Sequence, residues 1–188
     1  KISKVLNEEA PVFLRTNLLK NKAQNLQKLL EKEDLYVEIV NPLDDFEVIE
    51  TLKLKKRSNV FRTQSFKSGR FEVQDWGSQQ LVHFLNPQPG ERVIDACAGA
   101  GGKTLQMASL MQNKGKVIAM DIHEWKLKEL RRRASRNGVD IIEVRTIGSS
   151  KDIKRLHGKC DKLLLDVPCS GMGVLRRNPD SKWKLKPE

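Results

Sequence analysis

The sequence predicts an α/β protein: a small α+β layer first, then an open parallel sheet with crossover helices. Three observations lead there. Beyond Trp76, short apolar strands alternate with helical segments in units of about 25 to 30 residues, the spacing of strand–helix–strand crossovers. A glycine-rich turn, Gly99-Ala100-Gly101-Gly102, sits between the first of these strands and its helix. Two of the strands end in an acidic residue, Asp121 and Asp166.

In chain order, Val12–Thr16 reads as a strand, and Ala23, Leu26, Leu29 and Leu30 fall on one face of a helix. Leu35–Val40 alternates as a strand that Asn41-Pro42 ends. Glu50–Leu54 and Phe71–Val73 are shorter strand candidates, and the basic, polar stretch 56–70 has room for one short helix. A boundary is expected near Asp75, giving domains 1–75 and 76–188. Trp76–Leu85 forms a helix stopped by Asn86-Pro87-Gln88-Pro89-Gly90. Arg92–Ala96, Lys116–Met120, Ile141–Ile147 and Lys162–Leu165 are the four sheet strands. Thr104–Met111 and the segment carrying Trp125, Leu127, Leu130 and Ala134 are the helices between them, the latter closed by Asn137-Gly138.

Composition narrows the function classes. No run of about 18 apolar residues predicts a membrane span, and Lys1-Ile2-Ser3-Lys4 does not open a signal peptide. The chain does not start with Met, so a cut or renumbered N-terminus is expected. Cys97, Cys160 and Cys169 form no CxxC pair and no zinc-spaced cluster; reduced thiols in a cytoplasmic protein without a metal are expected. The net charge of +11 is uneven: residues 1–75 hold 14 Lys/Arg against 12 Asp/Glu, and residues 76–188 hold 21 against 12. Such an excess suits a polyanionic partner, and equally suits a merely soluble surface.

Three motifs carry the chemistry. In Asp95-Ala96-Cys97-Ala98-Gly99-Ala100-Gly101-Gly102-Lys103-Thr104, glycines allow a tight turn and close ligand approach, and the following helix offers free N–H groups. A phosphate-binding P-loop would need glycine where Cys97 stands, and a dinucleotide fingerprint would need it where Thr104 stands. Asp121 follows Gly99 by 22 residues. A carboxylate there can accept both ribose hydroxyls of an adenosine, whereas the simpler role is to cap the next helix. Asp166-Val167-Pro168-Cys169-Ser170-Gly171 places an acid and a thiol at the carboxyl edge of the fourth strand, where open parallel sheets bind ligands.

Together, DACAGAGGKT, the strand ending in Asp121, and DVPCSGMGVLRRNPDSKW resemble the Sun-type RNA cytosine-5 methyltransferases. PVFLRTN and FEVQDWGSQQ resemble that family too, so the likeness covers most of the chain. It implies a Rossmann-like class I methyltransferase sheet preceded by a small RNA-binding domain. It also implies methyl transfer from S-adenosylmethionine to carbon 5 of cytosine, in ribosomal RNA first and transfer RNA second. By the same resemblance, Cys97, Ala98, Gly99, Ala100, Gly101, Gly102 and Lys103 would wrap the cofactor, and Asp121 would hold its ribose. Asp166 would stand between cofactor and base, and Cys169 would assist product release. Carbon 5 is a poor nucleophile until a thiolate adds at carbon 6, which explains the need for cysteine. A paired cytosine would have to swing out of its helix.

The sequence departs from the family pattern in three places. Gly99 and Ala100 replace Ala and Pro of the usual turn, and Ile147 stands at or near the place of an adenine-contacting Asp, leaving a backbone group or Ser149 to replace it. The family's nucleophilic Thr-Cys pair lies beyond Glu188, and four strands are read where the family has seven, so a fragment is expected. Arg176, Arg177 and Lys182, with Lys184 and Lys186, are the expected RNA contacts. Trp183 is as suited to stacking on a base as to anchoring a core. Lys56, Arg57, Arg62, Lys67 and Arg70 line either an RNA path or an ordinary loop. Arg131, Arg132, Arg133 and Arg136 are expected on a solvated helix face, complementing its dipole, and His83, His123 and His157 on the surface. Two rival functions stand beside this one: a non-catalytic RNA-binding protein on the same fold, and a nucleotide hydrolase built on Gly102-Lys103-Thr104.

Overall fold

The computed structural model describes residues 8–40, 50–168, 176 and 180. Val12–Asp166 forms one compact unit, and the residues up to Pro11 with those from Val167 onward form a second. In that second unit Arg176 donates from Nε and Nη2 to the carbonyls of Glu8 (3.3 Å) and Glu9 (2.9 Å).

The larger unit holds two four-stranded sheets. The first is antiparallel and built from β1 (Phe13–Thr16), β2 (Val37–Val40), β3 (Thr51–Leu54) and β4 (Phe71–Val73) in the order β2-β3-β1-β4. Leu14 pairs with Leu52 and Leu52 with Ile39, so the sheet's apolar side is continuous across β1, β3 and β2. Helix α1 (Ala23–Glu31) buries Ala23, Leu26 and Leu30, spaced three and four apart, against Leu14, Leu52 and Phe71. Between β3 and β4 the basic stretch forms a 3-10 turn (Val60–Arg62) and a one-turn helix, α2 (Gln64–Lys67), capped by the Thr63 hydroxyl. Lys56, Arg57, Arg62 and Lys67 are exposed there, and Arg70 is half-buried.

Helix α3 (Trp76–Leu85) leads into the parallel sheet of β5 (Arg92–Asp95), β6 (Lys116–Asp121), β7 (Ile142–Thr146) and β8 (Lys162–Leu164). Helices α4 (Gly102–Leu110) and α5 (Glu124–Asn137) make the crossovers. The order is β7-β6-β5-β8. The chain steps outward from β5 to β7 and then returns to the other flank of β5. That reversal opens a crevice at the carboxyl end of β5, the ligand position of open α/β sheets. Val93, Val117, Leu105 and Met107 fill the core on one side; Ile94, Ile118 and Met120 face the other.

Several expectations need correction. His83 is buried, with Nε2 2.9 Å from Glu50 Oε1, because α3 packs its polar face inward against the first sheet rather than toward water. Arg133 and Arg136 do not lie on a solvated face: both pair with buried Glu72 of β4, while Arg131 and Arg132 are exposed as expected. A third crossover segment, α6 (Ser150–Lys154), joins β7 to β8 where no helix is predicted, although Ser149 and Asp152 form a capping box, a signal present in the sequence.

Candidate cofactor-binding site

The turn after β5 is shaped by its own backbone. Gly99 (φ +55°) and Gly101 (φ +88°) both take the left-handed conformation. A Cβ on Gly101 would lie 2.0 Å from Leu130 Cδ1, so any other residue there would force this buried leucine to move. The Gly101 N–H donates to Ala98 O (2.9 Å) and the Ala98 N–H to Met120 O (2.8 Å), fastening the turn to β6. Buried Asp95 accepts from the Thr104 hydroxyl at 2.7 Å, which closes the turn across its base. Positions of Gly99 and Gly102 where a Cβ would stand are open, so a ligand can reach the main chain there.

Asp121 ends β6 beside this turn. Its Oδ2 accepts the Gly99 N–H at 2.9 Å and its Oδ1 accepts the His123 N–H at 2.8 Å. Its own carbonyl accepts from Ile147 N at 3.0 Å. The N-cap of α5 is His123, not Asp121. Each carboxylate oxygen has two lone pairs, so each retains an acceptor direction for a hydroxyl.

Asp166, just past β8, forms an ion pair with Lys103 of the turn. Gln74, Ser78, Asp95, Cys97, Lys103 and Asp166 line a cleft of about 120 Å³. On the far side of Cys97 lies an apolar cavity of about 710 Å³, walled by Ile94, Met120, Ile147, Leu156, Cys160 and Leu163 among others. Ile147 thus presents hydrocarbon to this cavity. Ser149 is engaged as the N-cap of α6, its hydroxyl 3.2 Å from Asp152.

Burial pushes the Asp95 carboxyl up to about 6, against the opposing effect of its bond from Thr104. Burial, then the charges of Asp95, Asp121 and Asp166, push the Cys97 thiol up as well. Cys97 is therefore a protonated thiol at neutral pH, not a thiolate.

Of the residues singled out in the sequence, Cys97 through Lys103, Asp121 and Asp166 meet at one sheet edge. Cys169, Arg177, Lys182, Trp183, Lys184 and Lys186 lie outside the described residues. Sequence reading missed the Lys103–Asp166 pair and the presence of Gln74 and Ser78 in the cleft; the QDWGSQQ stretch was noted, but without a role. Among the described residues, no cluster of His, Cys, Asp and Glu could hold a metal ion, and no helix is long and apolar enough to cross a membrane.

The chain is 36% identical over 176 residues to a probable ribosomal RNA small subunit methyltransferase B of Bacillus subtilis, covering 93% of this chain and 38% of that protein. It is 31% identical over 182 residues to ribosomal RNA small subunit methyltransferase B of Proteus mirabilis, covering 97% and 42%. The chain thus spans about two fifths of these relatives' length. A solved methyltransferase homolog protein from Pyrococcus horikoshii superposes with a TM-score of 0.81 at 34% identity, covering 94% of this chain and 56% of that one. The fold is the Rossmann-like methyltransferase fold, represented by four parallel strands among the described residues. Residues 82–188, more than half of the chain, match the family model described as 16S rRNA methyltransferase RsmB/F, and to that family the chain belongs.

Proposed function

We propose that the protein of which this chain is part transfers a methyl group from S-adenosylmethionine to carbon 5 of a cytosine in RNA. Ribosomal RNA is the preferred substrate, after the names of the relatives, with transfer RNA second. The observation that carries the reading is the carboxyl edge of β5, β6 and β8. There an open glycine turn is bonded to Asp121 and ion-paired to Asp166. A turn open at Gly99 and Gly102, with an acceptor carboxylate at one end and an apolar wall at Ile147, suits a nucleoside with an amino-acid tail.

In this reading Cys97, Ala98, Gly99, Ala100, Gly101, Gly102 and Lys103 hold the cofactor through main-chain groups. Asp121 accepts from the ribose hydroxyls, and the hydrocarbon of Ile147 receives the adenine that a carboxylate receives elsewhere in the family. When bound, S-adenosylmethionine supplies a methyl group on a sulfonium, made electrophilic by its positive charge. Asp166 accepts from the amino group of the cytosine, and its ion pair with Lys103 aims it into the cleft. Cys169, two residues after Val167, assists loss of product. Cys97, protonated, is a wall of the site and not its nucleophile. Residues 1–75 form an RNA-binding domain whose exposed Lys56, Arg57, Arg62 and Lys67 meet phosphates, as do Arg176, Arg177 and Lys182. Reaction in the cytoplasm follows from a ribosomal RNA substrate.

Two measurements test the proposal. Calorimetric titration of the full-length protein should show saturable binding of S-adenosylmethionine and none of ATP; the opposite pattern favours a nucleotide hydrolase. Incubation with ribosomal or transfer RNA, followed by nucleoside mass spectrometry, should yield 5-methylcytidine. Cofactor binding with methyl on another atom, or on no RNA, would overturn the cytosine assignment.

A further inference from the structure

The glycine turn is held from behind by two guanidinium groups. Arg133 of α5 donates from Nη1 to Ala100 O at 2.7 Å and from Nη2 to Glu72 Oε2 at 3.0 Å. Arg15 of β1 donates from Nη1 to Gly102 O at 2.5 Å and to Gln74 Oε1. Glu72 and Gln74 are two apart at the end of β4 and therefore on the same side of the strand. Ala100 and Gly102 are likewise two apart in the turn. Alternate carbonyls of the turn are thus held by one arginine each, Arg15 from the antiparallel layer itself and Arg133 from α5, anchored on Glu72 of that layer.

Both arginines are built into place. The Arg15 side chain is fully buried, and burial lowers its guanidinium to about 10 against the raising effect of Glu50 and Glu72, so it stays charged at neutral pH. Glu72 is buried under Arg133, Arg136 and Asn137. Burial pulls the Glu72 carboxyl up, yet these partners together hold it below its ordinary value, and it remains an anion. Arg136 is fixed in turn over the Phe66 ring, 4.1 Å from its centroid.

A trans peptide points its C=O and its N–H in opposite directions. Holding Ala100 O fixes the Gly101 N–H on Ala98 O, which sets the shape of the turn, and holding Gly102 O fixes the Lys103 N–H, which faces the opposite way. Glycine-rich turns have wide conformational freedom, so a turn that must present its amides to a ligand gains from such a frame. We infer that Arg133 and Arg15, anchored by Glu72 and Gln74, are positioning residues for the cofactor turn, so that Arg15, Glu72 and Arg133 set cofactor affinity from outside the cleft. This inference rests on the turn being the S-adenosylmethionine site.

The test uses the full-length protein with Arg133→Lys, Glu72→Gln and, as a control, Asn17→Ala. A lysine ammonium can keep the charge pair with Glu72 but cannot also reach Ala100 O in the guanidinium's fork geometry. Asn17 lies at the same seam, its Nδ2 donating to Gly69 O and Asn137 O, both at 2.8 Å, with no bond to the turn. Two readouts are taken: the calorimetric Kd for S-adenosylmethionine, and hydrogen exchange of the peptide spanning 97–105 without ligand. Arg133→Lys should raise the Kd and speed exchange by about tenfold each, the scale of one charge-assisted hydrogen bond. Glu72→Gln should act in the same direction, and Asn17→Ala should lower Tm while moving neither readout. Unchanged exchange in Arg133→Lys, or an equal change in Asn17→Ala, overturns the inference. Faster exchange in Arg133→Lys, in a protein that never binds S-adenosylmethionine, would instead overturn the cofactor assignment and leave the frame standing.

Discussion

The Asp121 carboxylate receives the Gly99 N–H at 2.9 Å, joining the turn after β5 to the end of β6 across 22 residues of sequence. The bond does two things. It holds the turn in register with the sheet before any ligand arrives, and it leaves each carboxylate oxygen a further lone pair. Its second oxygen accepts from His123 N, so the carboxylate is fixed at both oxygens and loses little rotamer freedom on binding.

Removing this carboxylate should therefore weaken the cofactor complex more than it weakens the fold. Asp121→Ala is expected to lower S-adenosylmethionine affinity by about 1.5–3 kcal/mol, the scale of hydrogen bonds to a charged group. Asp121→Asn, which keeps one acceptor oxygen, should fall between. Calorimetry on both variants checks this, and an affinity unchanged in Asp121→Ala would reduce Asp121 to a backbone clasp.

Glu72 is the anion on which Arg133 and Arg136 converge, and only 3% of its side chain is exposed. Glu72→Ala leaves two guanidinium groups without their buried partner and should cost about 3–5 kcal/mol of unfolding free energy. The sign with pH follows from the depressed carboxyl. A group held below its unfolded value contributes stability that is present above that value and lost as pH falls through the folded one. The gap between wild type and Glu72→Ala, measured by urea unfolding, should thus be widest at neutral pH and narrow below about pH 4, the ordinary glutamate value.

Much of this architecture was legible because it is encoded locally. The alternation of apolar strands with α4 and α5, the stops at Asn86-Pro87 and Asn137-Gly138, and the strand ends at Asp121 and Asp166 are all patterns within a few residues. So was the family, since DACAGAGGKT and DVPCSG are contiguous strings. What stayed hidden depends on pairs far apart in sequence. No local pattern says that Arg133 meets Glu72, 61 positions away, or that Arg15 reaches Gly102, 87 away. An arginine run at a helix end reads as a solvated face unless the partner strand is known. The burial of His83 is hidden for the same reason: its partner Glu50, just before β3, lies 33 residues away in sequence. Only α6 was missed despite a local signal, its Ser149–Asp152 box.

Asp95 gives a prediction of opposite sign to that of Glu72. Its carboxyl is 1% exposed and raised to about 6, mainly by burial. A group raised in the folded state favours folding most fully below its unfolded value, and that advantage is lost as pH rises through about 6. Asp95→Asn keeps an acceptor for Thr104 without the charge. Relative to wild type it should gain on the order of 3 kcal/mol of stability between pH 4 and pH 8. Unfolding curves of both proteins across that window check it; parallel curves would mean that Asp95 titrates in the folded state as it does in the unfolded chain.

The close approach of Gly101 to Leu130 separates the two glycines of the turn. Both have positive φ, but a Cβ on Gly99 meets open space while one on Gly101 meets Leu130 Cδ1 at 2.0 Å. Gly99→Ala should then cost only the left-handed backbone penalty, about 1–2 kcal/mol. Gly101→Ala adds overpacking of a fully buried leucine and should cost about 1–3 kcal/mol more. A double-mutant cycle isolates the cause. Leu130→Ala alone removes buried volume and destabilises by about 2–5 kcal/mol. If the clash is real, the methyl of Gly101→Ala partly fills that void, and the double variant is more stable than the sum of the singles predicts. Strict additivity would instead place the whole penalty in the backbone of Gly101, and would mean that α5 can shift away from the turn at little cost.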